Sequence, residues 1–397
     1  MPRPTLYSHR MNETVGSRQA NLARLLRLVH LEGPVSRATL TAATGLNRST
    51  VADLVGDLVG LGLVEESAPD PSRRVGRPSP LVTAHPRVIA IGVNPEVDAL
   101  TMGAVGLDRT VRRRERIEMA GLIGPEQTAQ LIGERIEAWR GEEFADFVIA
   151  GVGVAVPGLV RSSDGMVRDA PHLAWTDVAL RELIEAATGL PAVVGNDAAM
   201  GVLAEHLFGV AQGIDDIVYL NGGASGIGGG LIVQGIPIAG ASGYSGEFGQ
   251  NRPGIASPAD RRAEDGVLED EVSRARLLAV LGRANVDEPT LAELLRTTSS
   301  PDVRAEISRQ RRILATALAN AVNVLNPAVV VLGGFLGMLA ADDLDGLRRA
   351  VVAQTMHANG ESLEICPAAL GEDRLLIGAA EAALADLLRD PAGVTLR

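Results

Sequence analysis

The chain has 397 residues, room for two or three domains of roughly 100–200 residues each. A single cysteine, Cys366, excludes an intrachain disulfide framework and a multi-cysteine metal site. The net charge of −12 is uneven: residues 1–88 carry eleven Arg against seven acidic residues, and the remainder 26 Arg against 42. A basic end on an acidic body is expected where one end meets nucleic acid. Aromatics make up only 3%, so the cores must be built from Ala, Val, Leu and Ile. No charged-then-apolar leader opens the chain. No apolar run approaches the roughly 20 residues that span a bilayer, and a cytoplasmic location with no membrane partner is expected.

A helical pattern starts near Ser17, with Leu22, Leu25, Leu26, Val29 and Leu31 close to a 3.6-residue period, and Gly33-Pro34 ends it. Ser36 is placed to cap a short helix with Leu40 and Ala43 as its buried face. Gly45-Leu46 turns the chain, and Asn47 caps a third helix striped by Val51, Leu54, Val55, Leu58 and Val59. Two short helices joined by a glycine turn match the helix-turn-helix plan, in which the start of the second helix faces the major groove. Here that start is Asn47, Arg48, Ser49 and Thr50, all hydrogen-bonding residues, with Arg48 suited to guanine or phosphate. A capped three-helix bundle is the plain alternative.

The next segment favours DNA. Strand-like Leu61–Val64 and Leu81–Thr83 flank a stretch from Pro71 to Pro78 that holds Arg73, Arg74 and Arg77. This predicts a hairpin wing with a basic tip, and Gly76-Arg77-Pro78 is narrow and positive enough for a minor groove. A solvated Arg-rich loop is the competing reading.

From Val88 the pattern becomes α/β. Strands are predicted at Val88–Val93, Ala99–Val105, Phe147–Ala155 and Ala192–Val194, with helices at Glu126–Arg140 and Val178–Thr188. A glycine cluster, Gly222 to Gly230, reads as a turn between strands at Asp216–Leu220 and Leu231–Val233 that brings N–H groups close to a phosphate. A long helix from about Val303 to Leu325 then precedes a strand, Ala328–Leu332, which runs into Gly333-Gly334. Two α/β lobes facing a cleft follow, with Asn196, Asp197 and Glu247 at the cleft.

These pieces in this order resemble the ROK family of repressors, open reading frames and sugar kinases, built on the actin-like ATPase fold. The resemblance rests on Gly189–Ala198, Gly222–Gly235, Gly243–Gly249 and Leu325–Gly334, with an N-terminal winged helix like residues 17–85. It implies an α/β chain of two parts: a winged helix-turn-helix with its wing and linker over 1–87, and a kinase-like domain over 88–397. The domain's lobes are expected at about 88–200 plus the C-terminal helix, and about 201–380. By the same resemblance Asp197 stands where family kinases place the base that deprotonates a sugar hydroxyl. Asn196, Glu247 and Glu269 stand at sugar-binding positions, and Gln250 replaces a histidine that touches both sugar and zinc.

Two departures weigh against catalysis. The family's Asp-x-Gly-Gly-Thr hairpin, which positions Mg²⁺ and ATP phosphates, corresponds to Gly92-Val93-Asn94-Pro95-Glu96. Asn94 takes the carboxylate position and Pro95 removes an N–H donor, and phosphoryl transfer depends on such positioning. The zinc positions are occupied by Gln250, Asp260, Arg262 and Val267, which make no tetrahedral donor set. The expected protein is therefore a homodimeric, DNA-binding repressor with no catalytic residues, metal or cofactor, bound to operator DNA and controlled by a sugar or related metabolite. A ROK-type sugar kinase acting on a hexose with ATP, and a repressor that senses no small molecule, are the alternatives.

Overall fold

The computed structural model describes residues 16–68, 79–264 and 266–394. Among them no helix is long and apolar enough to cross a membrane.

Three helices open the chain: α1 (Ser17–Glu32), α2 (Arg37–Thr44) and α3 (Arg48–Gly60). Their starts follow from capping. The Ser36 hydroxyl accepts from the Thr39 N–H at 3.0 Å and the Asn47 side chain from the Thr50 N–H at 2.8 Å, which satisfies donors that the first helical turn leaves open. Leu25, Leu26, Val29, Val51, Leu54, Val55 and Leu58 form the core between them. Two predicted core positions are corrected. Ala43 is exposed, and its neighbour Thr44 turns inward with its hydroxyl on the Leu40 carbonyl at 2.7 Å. Val59, in the last turn of α3, is 43% exposed. Strands β1 (Val35–Ser36), β2 (Val64–Ser67) and β3 (Leu81–Ala84) form a small antiparallel sheet in the order β1-β3-β2. Its pairs Val64↔Ala84 and Ser67↔Leu81 make the base of the predicted wing. Arg73, Arg74 and Arg77 lie outside the described residues.

Two five-stranded sheets make up the body. The first has the order β11-β7-β4-β5-β6 and contains β4 (Val88–Pro95), β5 (Ala99–Gly106), β6 (Val111–Glu118), β7 (Val148–Val156) and β11 (Ala192–Asn196). Helices α4 (Pro125–Glu142) and α5 (Leu180–Thr188) accompany it, with a small sheet of β8 (Leu159–Val160), β9 (Val167–Ala170) and β10 (Trp175–Val178). Val178 thus ends a strand and does not open the helix. The second sheet has the order β14-β13-β12-β15-β16: β12 (Ile217–Gly223), β13 (Gly226–Val233), β14 (Ile236–Pro237), β15 (Val329–Gly334) and β16 (Glu364–Pro367). Each sheet has an antiparallel meander of three strands and two further strands added in parallel. The two lobes therefore repeat one topology.

The glycine cluster differs from its expected form. Its glycines are mostly paired strand, with Gly223 opposite Gly226, and only Ala224-Ser225 turn. Glycine is needed because α6 (Asp197–Phe208) lies against β13: a Cβ at Gly230 would sit 2.5 Å from the Ala198 carbonyl. The remaining helices are α7 (Leu268–Glu271), α8 (Arg274–Val280), α9 (Glu288–Thr297), α10 (Pro301–Leu325), α11 (Phe335–Ala341), α12 (Leu344–Val352), α13 (His357–Gly360) and α14 (Arg374–Arg389). The last of these returns to the first lobe. It crosses β4 and β7 so closely that a Cβ at Gly153 would stand 1.8 Å from the Ala379 carbonyl. Leu384, Leu387 and Leu388 of α14 share one apolar core with Leu25 and Leu26 of α1, which seats the N-terminal helices on the body.

Candidate functional site

The candidate DNA face is the start of α3. Arg48 and Ser49 are exposed and Thr50 is half-buried. Asn47 is exposed too, but its carboxamide oxygen is occupied by the Thr50 N–H and by the Ser49 hydroxyl at 2.7 Å. Arg48, by contrast, is exposed and has no hydrogen bond among the described residues. Two neighbouring arginines are committed to structure. Arg24 donates to the Ala43 and Thr44 carbonyls and clamps α1 to the end of α2, while Arg37 pairs with Glu66.

The candidate ligand pocket lies where β11 runs into α6. Asn196 caps α6, its oxygen accepting from the Ala199 N–H at 2.9 Å, while its Nδ2 donates to the Gly158 carbonyl at 3.1 Å. Asp197 is buried at the first helical position, where its oxygens accept from the Ala198 N–H at 2.8 Å and the Asn221 amide at 3.2 Å. Burial raises its pKa to about 6 against the pull of those bonds and of Arg374. Glu247 enters from the loop after β14. Burial, then the charges of Asp197 and Glu269, push it up to about 7. Glu269, on α7, accepts from the Ile227 N–H at 3.1 Å and from the Gln250 side chain at 2.6 Å. A Cβ at Gly249 would lie 2.6 Å from Glu269, so that glycine permits the approach. Asp197 and Glu269 thus stand near enough to Glu247 for their charges to act on it. Asn196 and Gln250 are largely spent on holding the pocket's walls.

The cleft beside this pocket has a different character. The Asn94 amide donates to the Ala155 carbonyl at 2.8 Å and is locked to β7. Glu96 reaches across to the β12–β13 turn, where its carboxylate accepts from the Ala224 N–H at 3.3 Å. Burial, Asp98 and Glu288 raise its pKa to about 7, with Asp197 adding to the same shift. Asp98 stands 3.2 Å from Arg116 and 3.7 Å from Arg274. Arg374, at the start of α14, pairs with Glu288 at 2.7 Å and donates to Asn221 at 3.1 Å. Asn221 in turn donates to Asp197, so Arg374 and Asp197 are joined through one amide.

Residues 90–386 match the ROK family. The chain belongs to the ROK family. It is 26% identical to the xylose repressor of Caldicellulosiruptor bescii over 390 residues, covering 94% of this chain and 98% of that one. It is 25% identical to the Escherichia coli DNA-binding transcriptional dual regulator NagC over 382 residues, covering 91% of each. The fold also matches the crystal structure of a ROK family transcriptional regulator, a homologue of the E. coli MLC protein, with a TM-score of 0.73 and 23% identity over 94% of this chain and 97% of that one.

The zinc of the ROK family does not fit this chain. Gln250 is bonded to Glu269, Asp260 is paired with Arg312 at 2.7 Å, and Arg262 offers a guanidinium. No cluster of three or more His, Cys, Asp or Glu suited to a metal occurs among the described residues. Three site residues were not foreseen. Glu96 stood in the altered hairpin, but its reach to Ala224 depends on the other lobe. Arg374 opens a helix whose next six residues are all apolar or glycine, which was the one signal available. His172, with its Nε2 3.8 Å from Glu269, had none.

Proposed function

We propose that this ROK protein is a transcription repressor whose kinase-like body binds an unphosphorylated sugar and performs no phosphoryl transfer. The observation that carries the reading is Glu96 on the Ala224 N–H. A backbone amide of the turn that would meet a phosphate holds a carboxylate of the same chain, and the arginines of the same cleft, Arg114, Arg116, Arg274 and Arg374, are already paired with Glu372, Asp98 and Glu288. A triphosphate entering there meets an occupied donor and guanidiniums already committed to carboxylates.

The sugar pocket supports the ligand class. Asp197, Glu247 and Glu269 gather there, and the amides of Asn196 and Gln250 hold its walls. Arg374 reaches this group only through Asn221. Carboxylates accept paired hydroxyls well and disfavour a phosphate ester. The name of the Caldicellulosiruptor bescii relative points to a pentose, and xylose is the first probe. In a homodimer, ligand binding would alter the spacing of two DNA-reading heads, whose half-sites lie about 34 Å apart or a multiple of it. A ligand shifts that balance only by binding the two states unequally. The protein is placed in the cytoplasm by this reading.

The test begins with selection of bound duplexes from a random pool, followed by fluorescence anisotropy with and without xylose, glucose and N-acetylglucosamine. Sequence-specific binding that one sugar weakens is the expected result; no DNA binding under any condition rejects the proposal. The kinase reading retains Asp197 in its favour, poised by burial for proton transfer. Sugar-dependent ADP release that Asp197→Asn abolishes would establish it.

A further inference from the structure

The pocket carboxylate Glu269 rides on α7, a helix of four residues (Leu268–Glu271) that cannot hold its own position. In the family a metal braces this region, and here the donor set for one is missing. What stands instead is Arg309, on α10 and 2% exposed. All five of its N–H donors are used. Nε and Nη2 donate to Glu306 at 2.9 and 2.7 Å, and Nη1 donates to the Glu271 carboxylate at 2.9 Å and to the Asp260 carbonyl at 2.7 Å. The second Nη2 proton meets the Glu271 carbonyl at 2.6 Å.

Glu271 is fully buried, and its carboxylate also gathers the Arg262 and Ala263 N–H groups, each at 2.9 Å. Burial alone would raise its pKa, but those two amides and Arg309 outweigh it and hold the carboxylate below its ordinary range. Gln310 extends the bracing by bonding Glu306 and both backbone groups of Ser273. Asp260, Arg262, Ala263, Glu271 and Ser273 are thus drawn to one face of α10. A guanidinium suits this task because its fork is planar, permanently charged and rigid.

We propose that Arg309 is a positioning residue that replaces the structural metal: paired with Glu271 and Glu306, it holds residues 258–264 and 266–273 so that Glu269 faces the ligand without any metal ion. The role of Glu269 rests on the sugar-binding reading above; the metal-free bracing does not.

Hydrogen exchange on the full-length protein tests the bracing without a ligand. Wild type is expected to show slow exchange at Arg262, Ala263 and Leu268, unchanged by EDTA or by added Zn²⁺. Arg309→Met is expected to speed exchange there at least tenfold while peptides from residues 17–60 and 148–156 keep their rates. Arg309→Lys, which keeps the charge but loses the fork, gives a smaller increase in the same peptides and serves if the Met variant does not fold. Unchanged exchange in Arg309→Lys, or an EDTA effect on wild type as large as the variant's, overturns the proposal. Calorimetry with xylose adds the second arm. Arg309→Lys is expected to weaken xylose at least fivefold with operator affinity in its absence unaltered. Equal xylose affinity in the two proteins overturns the link to Glu269. Wild type that binds operator but no sugar, with the exchange pattern intact, removes the sugar reading alone.

Discussion

His30 of α1 is hydrogen-bonded to Glu381 of α14 at 2.9 Å, inside the protein, and this contact joins the N-terminal helices to the helix whose first residue, Arg374, lies beside the candidate pocket. The other ring nitrogen of His30 lies 2.6 Å from the Leu107 carbonyl. A carbonyl only accepts, so Nδ1 is the donor of that bond. Phe208, the last residue of α6, meets the His30 ring edge-on at 5.5 Å, and Arg109 lies over Phe208 while donating to the Leu31 carbonyl. Helices α6 and α14 both begin at the pocket, with Asp197 and Arg374, and both reach this seat. Glu381→Leu strands a buried ring nitrogen, which costs about 1–3 kcal/mol. We expect a lower melting temperature and faster proteolysis in the region of residues 79–88, while Glu381→Gln, able to donate to the ring, shows a smaller loss of both. Equal behaviour of the two variants would remove His30 from the coupling.

Glu96 makes a prediction in pH. Its pKa rises from 4.5 to about 7 in the folded chain. Between those values the folded state holds a proton that the unfolded state has released, so stability falls as pH rises through that window. The full linkage for one such carboxyl is at most ~3 kcal/mol. Asp197 and Glu247 shift in the same direction and contribute their own slopes. Glu96→Gln keeps an acceptor for the Ala224 N–H and removes one of the three. Urea midpoints at pH 5 and pH 8 should lie closer together in the variant than in wild type; an unchanged difference would mean that Glu96 ionises freely.

Legibility in the sequence followed the physics of each element. The buried strands β4, β5 and β7 and the capped helices α2 and α3 announced themselves, because burial and capping impose residue types locally. Strand β6, Val-Arg-Arg-Arg-Glu-Arg-Ile-Glu, did not: its residues are only partly buried or exposed, and its charges pair with Glu142, Glu372 and Asp98 elsewhere in the fold. Asp197, Glu247 and Glu269 were singled out through the ROK resemblance, which carries position. Arg309 and Glu271 were not, since a charged residue on a helix reads as surface until its partner, 38 residues away, is known. Asn47 shows the reverse case, where one residue type serves a cap and a base contact equally well and only the geometry of Thr50 shows which bond is made.

Close approach of α14 to the first sheet gives a stability prediction. A methyl added at Gly153 would overlap the Ala379 carbonyl, a backbone atom with a packed helix behind it. Gly153→Ala must displace α14, and overpacking of this kind costs about 1–3 kcal/mol or more. Because α14 also carries Glu381, the change should loosen the head as well. The expected outcome is a lower melting temperature together with weaker operator binding, and an unaltered melting temperature would show that the helix yields without cost.

Asn47 and Arg48 separate folding from recognition at neighbouring positions. The Asn47 side chain caps α3 through the Thr50 N–H, and loss of such a cap costs about 1 kcal/mol of stability. Arg48 is exposed and bonded to nothing among the described residues, so its removal should leave folding within ~0.5 kcal/mol of wild type. If Arg48 reads a base, Arg48→Ala weakens specific binding by about 1–3 kcal/mol and relaxes preference at one base pair. If it meets a phosphate, binding weakens evenly across sequences and the slope of log affinity against log salt falls by about one. Anisotropy titrations at several salt concentrations, on the selected operator and on its single-base variants, distinguish the two contacts. Arg48→Ala with unchanged affinity for every duplex would take the start of α3 out of the DNA interface.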